Sequence, residues 1–187
     1  EAEVSYRQAI VLQPDLAEAH NNLGNTLKEL GRLEEACLAY IQAINLNSDF
    51  TDAYVNLSLA IKNVRFSSSD RELYPPLTQM LTAGNYTRPN DVARSILSLL
   101  KHDPLIKELL LEKNFAASLK EANSIIVNLD KLALLHHLMR VCPLPDLQFE
   151  AFFVTMRRLL LTNLEKIEES SELIYFLSTL SLHCFTN

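Results

Sequence analysis

The chain has 187 residues, enough for one large domain or two small ones, and its 48% apolar content allows a sizeable core rather than wholesale disorder. Three glycines and seven prolines leave little room for many short strands and favour long helices. The net charge is −6, split as −4 over residues 1–65 (9 acids, 5 bases) and −2 over residues 66–187 (14 acids, 12 bases); no cationic run exceeds Arg157–Arg158, so the footprint of a nucleic-acid or anionic-membrane binder is missing.

Cys37, Cys142 and Cys184 are odd in number and widely spaced, which fits neither a disulfide framework nor a zinc site. They read as buried thiols in a reducing compartment, so a cytoplasmic protein is expected. No signal peptide is visible. The chain opens inside a helical pattern at Glu1–Val4 and closes just after another, and so reads as a fragment of a larger protein.

The first third repeats itself. Shifted by 34, Ala2, Tyr6, Ala9, Ile10 and Leu12 fall on Ala36, Tyr40, Ala43, Ile44 and Leu46. Likewise Leu16, Ala19, His20, Asn22, Leu23, Leu27 and Lys28 fall on Phe50, Ala53, Tyr54, Asn56, Leu57, Ile61 and Lys62. Leu23, Leu27 and Leu30 follow helical spacing and form one apolar stripe. Gly24 lies within it, where a missing side chain lets a second helix approach closely. Gly31 ends that helix, and the next begins near Leu33-Glu34-Glu35, with acids suited to the dipole of a first turn. Ala36, Tyr40 and Ala43 predict a small-large-small face that interlocks with its neighbour.

These residues resemble the tetratricopeptide repeat (TPR) family: His20, Leu23-Gly24, Leu27, Ala36, Tyr40, Ala43 and Ser48 in the complete unit, and Ala2, Tyr6, Ala9 and Pro14 in the half unit before it. A third unit supplies Tyr54, Leu57-Ser58 and Ile61, then departs at Phe66-Ser67-Ser68-Ser69-Asp70. The resemblance implies an all-α fold, a right-handed helical-repeat array over residues 1–65 followed by an irregular α-helical bundle over 66–187. The run Asn21-Asn22-Leu23-Gly24-Asn25 is closest to the repeats of O-linked N-acetylglucosamine transferase-like bacterial proteins. There, an asparagine beside Leu-Gly grips peptide backbone on a concave surface. Asn22 and Asn56 match that position; Asn21, Asn25, Lys28 and Lys62 are placed on the same side. An amide both donates and accepts, so it can pair with peptide backbone whatever the side chains. The resemblance therefore implies a protein- or peptide-binding scaffold, not an enzyme. Its alternative is the non-catalytic targeting part of a larger methyltransferase or glycosyltransferase, because Leu180–Asn187 resembles the run-in to a methyltransferase domain.

Beyond residue 65 helices continue without a period. Pro75-Pro76 predicts a short helix ending at Gly84, and Asn85–Asn90 a turn-rich linker with Asn90 capping a helix over 91–101. Asp103-Pro104 predicts a helix through Leu111. Helices are expected over 114–129 and 131–141, a break at Cys142–Pro145, a long helix from Asp146 to Leu164, and a last one after Ser171-Glu172. The apolar run Leu173–Phe185 is too short and too rich in Ser, Thr and His to span a bilayer. It is expected to pack on a further domain or on a second copy, and open repeat ends offer another route to self-association.

The three glycines are isolated, so no phosphate-cradling loop is present and no nucleotide or methyl-donor cofactor is expected. His136 and His137 are adjacent on a helix and point apart, which is not the spacing of a metal pair; a structural role is expected. Neither His102-Asp103 nor His183-Cys184 has a third partner at readable spacing. Glu34-Glu35 and Glu168-Glu169 read as solvated helix starts, and Tyr6, Tyr40 and Tyr54 as core residues.

Overall fold

The structure, a computed structural model, describes residues 1–111, 132–142, 144–162 and 178–179. Every regular element among them is helical. The chain divides into two compact units: Glu1–Phe66 with Asp70–Ser95, and Ser67–Ser69 with Ile96–Asn187.

The first unit opens with α1 (Ala2–Leu12), α2 (Ala17–Glu29), α3 (Leu33–Leu46) and α4 (Thr51–Ala60), the last continued by a 3₁₀ turn at Ile61–Asn63. The turn from α2 to α3 is set by Gly31, at φ +77°. Its N–H donates to the Lys28 carbonyl at 3.0 Å, and the Arg32 N–H donates to the Leu27 carbonyl at 2.9 Å. This paired closure satisfies two end carbonyls and needs a left-handed residue, which glycine supplies without steric cost. Gly24 faces the Tyr40 ring. A Cβ built there would stand 2.5 Å from Tyr40 Cε1, so contact between α2 and α3 depends on the absent side chain. Ala36, Tyr40, Ile41 and Ala43 are fully buried in that contact layer. The interlocking predicted from Ala36, Tyr40 and Ala43 is therefore observed.

After α4 the pattern breaks. Val64 turns to extended backbone, a 3₁₀ turn follows at Arg71–Leu73, and α5 (Tyr74–Ala83) ends at Gly84 with φ +67°. Helix α6 (Pro89–Leu100) starts one residue before the expected cap. Asn90 is inside its first turn, because Pro89 takes a position where no backbone N–H is needed. The Asp91 N–H donates to the Arg88 carbonyl at 3.0 Å.

In the second unit α7 (Pro104–Leu111), α8 (Ala133–Val141) and α9 (Leu147–Thr162) follow. Asp103 caps α7 through the Leu105 N–H at 3.0 Å, and Asp146 caps α9 through the N–H groups of Gln148 and Phe149. Its core includes Leu134, Leu138 and Met139 on α8 with Phe149, Phe153 and Met156 on α9. Phe152 and Phe153 meet edge to face, with centroids 5.0 Å apart. His136 is buried and His137 half-buried on α8, as core positions rather than an exposed pair. Helix α8 begins at Ala133, two residues later than expected. The helices expected over 114–129 and after Ser171-Glu172, Glu168-Glu169, His183-Cys184 and, apart from Ser178 and Thr179, the Leu173–Phe185 run lie outside the described residues.

Candidate functional site

The amides singled out by spacing come from two helices that lie side by side. Asn56 Nδ2 on α4 donates to Asn21 Oδ1 on α2 at 3.1 Å. This bond fixes the two helices and one asparagine orientation. Asn21 is 7% exposed, so it stands beside the surface rather than on it, holding Asn56 in place. Asn56 is half-buried and keeps its carbonyl oxygen and one N–H unused by that bond.

Asn22 and Asn25 are also half-buried. Asn25 Oδ1 accepts from the Tyr40 hydroxyl at 2.9 Å, which leaves its amide N–H₂ for other partners. Thr26 Oγ1 donates to the Asn22 backbone carbonyl at 3.0 Å, and the Asn22 side-chain amide makes no hydrogen bond among the described residues. Lys28 is half-buried on the same helix, one turn beyond Asn25. Its counterpart one period later, Lys62, is exposed, but its Nζ lies 3.1 Å from Asp91 Oδ2.

Spacing alone missed three partners. Tyr86 stacks on Tyr54 with ring centroids 5.0 Å apart and planes inclined by 13°. Asp91 pairs with Lys62, and Ser95 Oγ donates to the Lys62 carbonyl at 3.4 Å. Together with Arg65, whose Nη1 donates to the Arg94 carbonyl at 3.3 Å, these contacts tie Tyr54 on α4 and the 3₁₀ turn that follows it to the segment Tyr86–Ser95. One signal was present in the sequence: Tyr74, buried on α5, stands 34 residues after Tyr40. Tyr86 belongs to a turn with no period and left no such signal.

Away from the amides, α1 and α3 diverge over α2 and leave an apolar cleft of about 490 Å³ between Ile10 and Val11 on one side and Leu38 and Ala39 on the other, floored by Leu23 and Leu27. At its mouth Glu3 pairs with Arg32 at 2.9 Å and with Arg7 at 2.9 Å, while Arg32 also pairs with Glu35. Glu35 is thus an ion-pair member rather than a merely solvated acid. Hydrogen bonds from Arg7 and then Arg32 hold the Glu3 carboxyl below the usual carboxylate range; Arg32 does the same for Glu35. Burial pushes the Cys37 thiol up to about 12 and the Cys142 thiol to about 11, which leaves both unreactive.

Residues 1–31 and 24–63 each match the family model described as TPR repeat. The two matches span residues 1–63 of the 187, and over that stretch the chain is similar to TPR repeats. No curated protein matches the chain. TPR repeats generally mediate protein–protein interaction, and the α2–α3 pair carries the packing on which such an array rests: a glycine under a tyrosine, and alanines on either side. Among the described residues no group of three His, Cys, Asp or Glu side chains is placed to hold a metal ion, and no helix is long and apolar enough to cross a membrane.

Proposed function

We propose that the α2–α4 face is the concave surface of a protein-interaction module and that it holds an extended segment of a partner. Asn22 and Asn56 are the primary contacts, Asn25 and Lys28 extend them along α2, and Asn21 positions Asn56. Lys62 marks the edge of the face, its charge shared with Asp91. The observation that carries this reading is the pair of half-exposed amides one repeat apart on neighbouring helices, with donors and acceptors left unused. An amide that is partly desolvated, yet open on one side, suits backbone recognition. It gives up little hydration and offers both halves of a peptide hydrogen bond. Lys28 adds a preference for an acidic residue at one end of the bound segment.

The test begins with a peptide selected from a displayed random library against the whole chain. Asn22→Ala should weaken that peptide by about tenfold, the equivalent of ~1.4 kcal/mol, with no shift in thermal midpoint. Asn56→Ala should weaken it similarly but also destabilise the chain by about 1 kcal/mol, because Asn21 loses its partner. Unchanged affinity in Asn22→Ala for every selected peptide would remove this face from the binding surface.

A further inference from the structure

The amides of the α2–α4 face can hold a backbone but cannot choose among side chains, because an amide pairs with any peptide bond. Selectivity has to come from their neighbours. Across the 34-residue period, Asn21 and Asn25 on α2 correspond to Val55 and Leu59 on α4. On α2 both positions serve the fold: Asn21 Oδ1 accepts from Asn56, and Asn25 Oδ1 accepts from the Tyr40 hydroxyl. On α4 neither side chain can make such a bond, and both are open to solvent, Val55 42% exposed and Leu59 57% exposed.

The two form one patch. Residues four apart on a helix are neighbours, and Leu59 also stands three residues from Asn56, so the patch adjoins the amide. Its companions on the α2–α4 face are polar or charged: Asn22, Asn25 and Lys28 on α2, Asp52 and Asn56 on α4. Apolar side chains scattered singly are ordinary on a protein surface; a contiguous pair beside a half-open amide on a polar face is a contact for a group that displaces its water. The chain itself returns to this helix without filling it. Tyr86 stacks on Tyr54, and Asp91 and Ser95 bind Lys62, yet Val55 and Leu59 stay exposed.

Charge gives the occupant a direction. Asp52, one turn before Val55 and Asn56, is exposed and has no ion-pair partner among the described residues, so it disfavours a carboxylate over α4. Lys28 favours one over α2.

We infer that the segment bound on this face seats a large aliphatic or aromatic side chain on Val55 and Leu59, beside the backbone held by Asn56, and turns its acidic residue toward α2. This rests on the reading of the α2–α4 face as a peptide-binding surface and makes Val55 and Leu59 its specificity-determining residues. Seating the apolar group also removes water from one side of Asn56, which strengthens the hydrogen bond made there.

The test selects peptides from a displayed random library against the whole chain and, in parallel, against a chain carrying Val55→Thr and Leu59→Gln. Both residues are well exposed, so the thermal midpoint of the double variant should barely move. Selection on the unaltered chain should enrich one peptide position in large apolar residues, and selection on the variant should not. For the best peptide, the double variant and an alanine at the enriched position should each weaken binding by about tenfold. Combined, they should weaken it by little more than either alone, because both remove the same contact. Leu30→Gln, at a leucine as exposed as Leu59 but on the opposite side of α2 from Asn21, should leave affinity unchanged. Peptides weakened by Asn22→Ala that lack the apolar position, ignore the double variant, show simply additive losses or lose as much with Leu30→Gln overturn this inference and leave the amide face standing. Peptides indifferent to Asn22→Ala, or a library that yields none, remove the face and this inference together.

Discussion

The complete repeat, α2 with α3, and the next first helix, α4, start from one residue pattern and part at three positions. Where α2 ends in Gly31, whose left-handed backbone reverses the chain at once, the place one period later holds Arg65. The chain there runs on through a 3₁₀ turn into extended backbone at Val64, and no helix like α3 follows. Where α2 has Gly24 beneath Tyr40, α4 has Ser58, buried and bonded to its own Val55 carbonyl at 2.8 Å. Where His20 donates from Nε2 to the Pro14 carbonyl at 3.0 Å, Tyr54 stacks on Tyr86 and its buried hydroxyl has no hydrogen-bond partner among the described residues. The repeat fold thus rests on two glycines with separate tasks, one for the turn and one for the interface. Where both are replaced, Tyr54 and the turn after α4 are held by Tyr86, Asp91 and Ser95 instead.

The largest break in that comparison is Gly24→Leu. Leucine at a position where even a Cβ meets an aromatic ring at 2.5 Å must push α3 away from α2. The gain in helix propensity over glycine is only about 1 kcal/mol, against an overpacking cost of about 3 kcal/mol or more. Denaturant unfolding should show a large drop in midpoint or loss of a cooperative transition. The equivalent Ser58→Ala, which removes one locally bonded hydroxyl, should cost under about 1 kcal/mol.

Alkali should separate the two regions next. Burial holds the Cys37 thiol neutral up to about pH 12, against an ordinary value of 9.0. A raised folded-state pKa gives stability that is whole below the unfolded value and is lost as pH rises toward the folded one. Stability should therefore fall between pH 9 and 12, by about 1.4 kcal/mol per unit from this thiol at most. Tyr40, also raised by burial to about 12 from 10.0, adds to the slope above pH 10. Cys37→Ala should flatten the fall in denaturation midpoints measured from pH 8 to pH 11. An unchanged slope would place the alkaline loss elsewhere.

One substitution should act with opposite sign in the two regions. Tyr40→Phe deletes the bond to Asn25 and should cost about 1 kcal/mol. Tyr54→Phe removes a buried hydroxyl that has no hydrogen-bond partner among the described residues while keeping the stack on Tyr86. It should be neutral or stabilising by up to about 1 kcal/mol. Thermal midpoints of the two variants measured side by side decide this, and a loss in both would mean that Tyr54 also relies on a hydrogen bond.

The sequence was most informative where a residue's task is local or recurs at a fixed interval. Gly31, Gly84 and Asp103 could be assigned because turns and caps depend on neighbours a few residues away. A close helix approach at Gly24 and an interlocking face at Ala36, Tyr40 and Ala43 were legible from helical spacing; that the glycine lies under the Tyr40 ring was shown by the structure. Asn90 misled because its capping propensity was read alone, while Pro89, whose missing N–H costs nothing in a first turn, starts the helix one residue earlier. The orientation of the amides was not legible. Asn21 and Asn22 are neighbours of identical chemistry, and periodicity links Asn22 with Asn56, whereas it is Asn21 that bonds to Asn56. Which neighbour turns inward depends on the angle between α2 and α4, a tertiary quantity. Tyr86 and Asp91 reach α4 from segments with no periodic relation to it.

The smallest expected effect separates the two lysines that the period equates. Lys62 pairs with Asp91 while more than a third exposed, and such pairs contribute well under about 1 kcal/mol. Lys28 has no ion-pair partner among the described residues and faces the proposed binding surface beside Asn25. Lys62→Ala should therefore lower the thermal midpoint slightly at low salt and not at all in 1 M salt, where the Debye length is about 3 Å. Its effect on peptide affinity should be minor, since its charge is already balanced. Lys28→Ala should leave the midpoint alone and reduce affinity mainly for selected peptides that carry an acidic residue, again in a salt-dependent way. If Lys62→Ala weakens acidic peptides as much as Lys28→Ala does, the Asp91 pair opens on binding, and the surface then extends along α4 to its end.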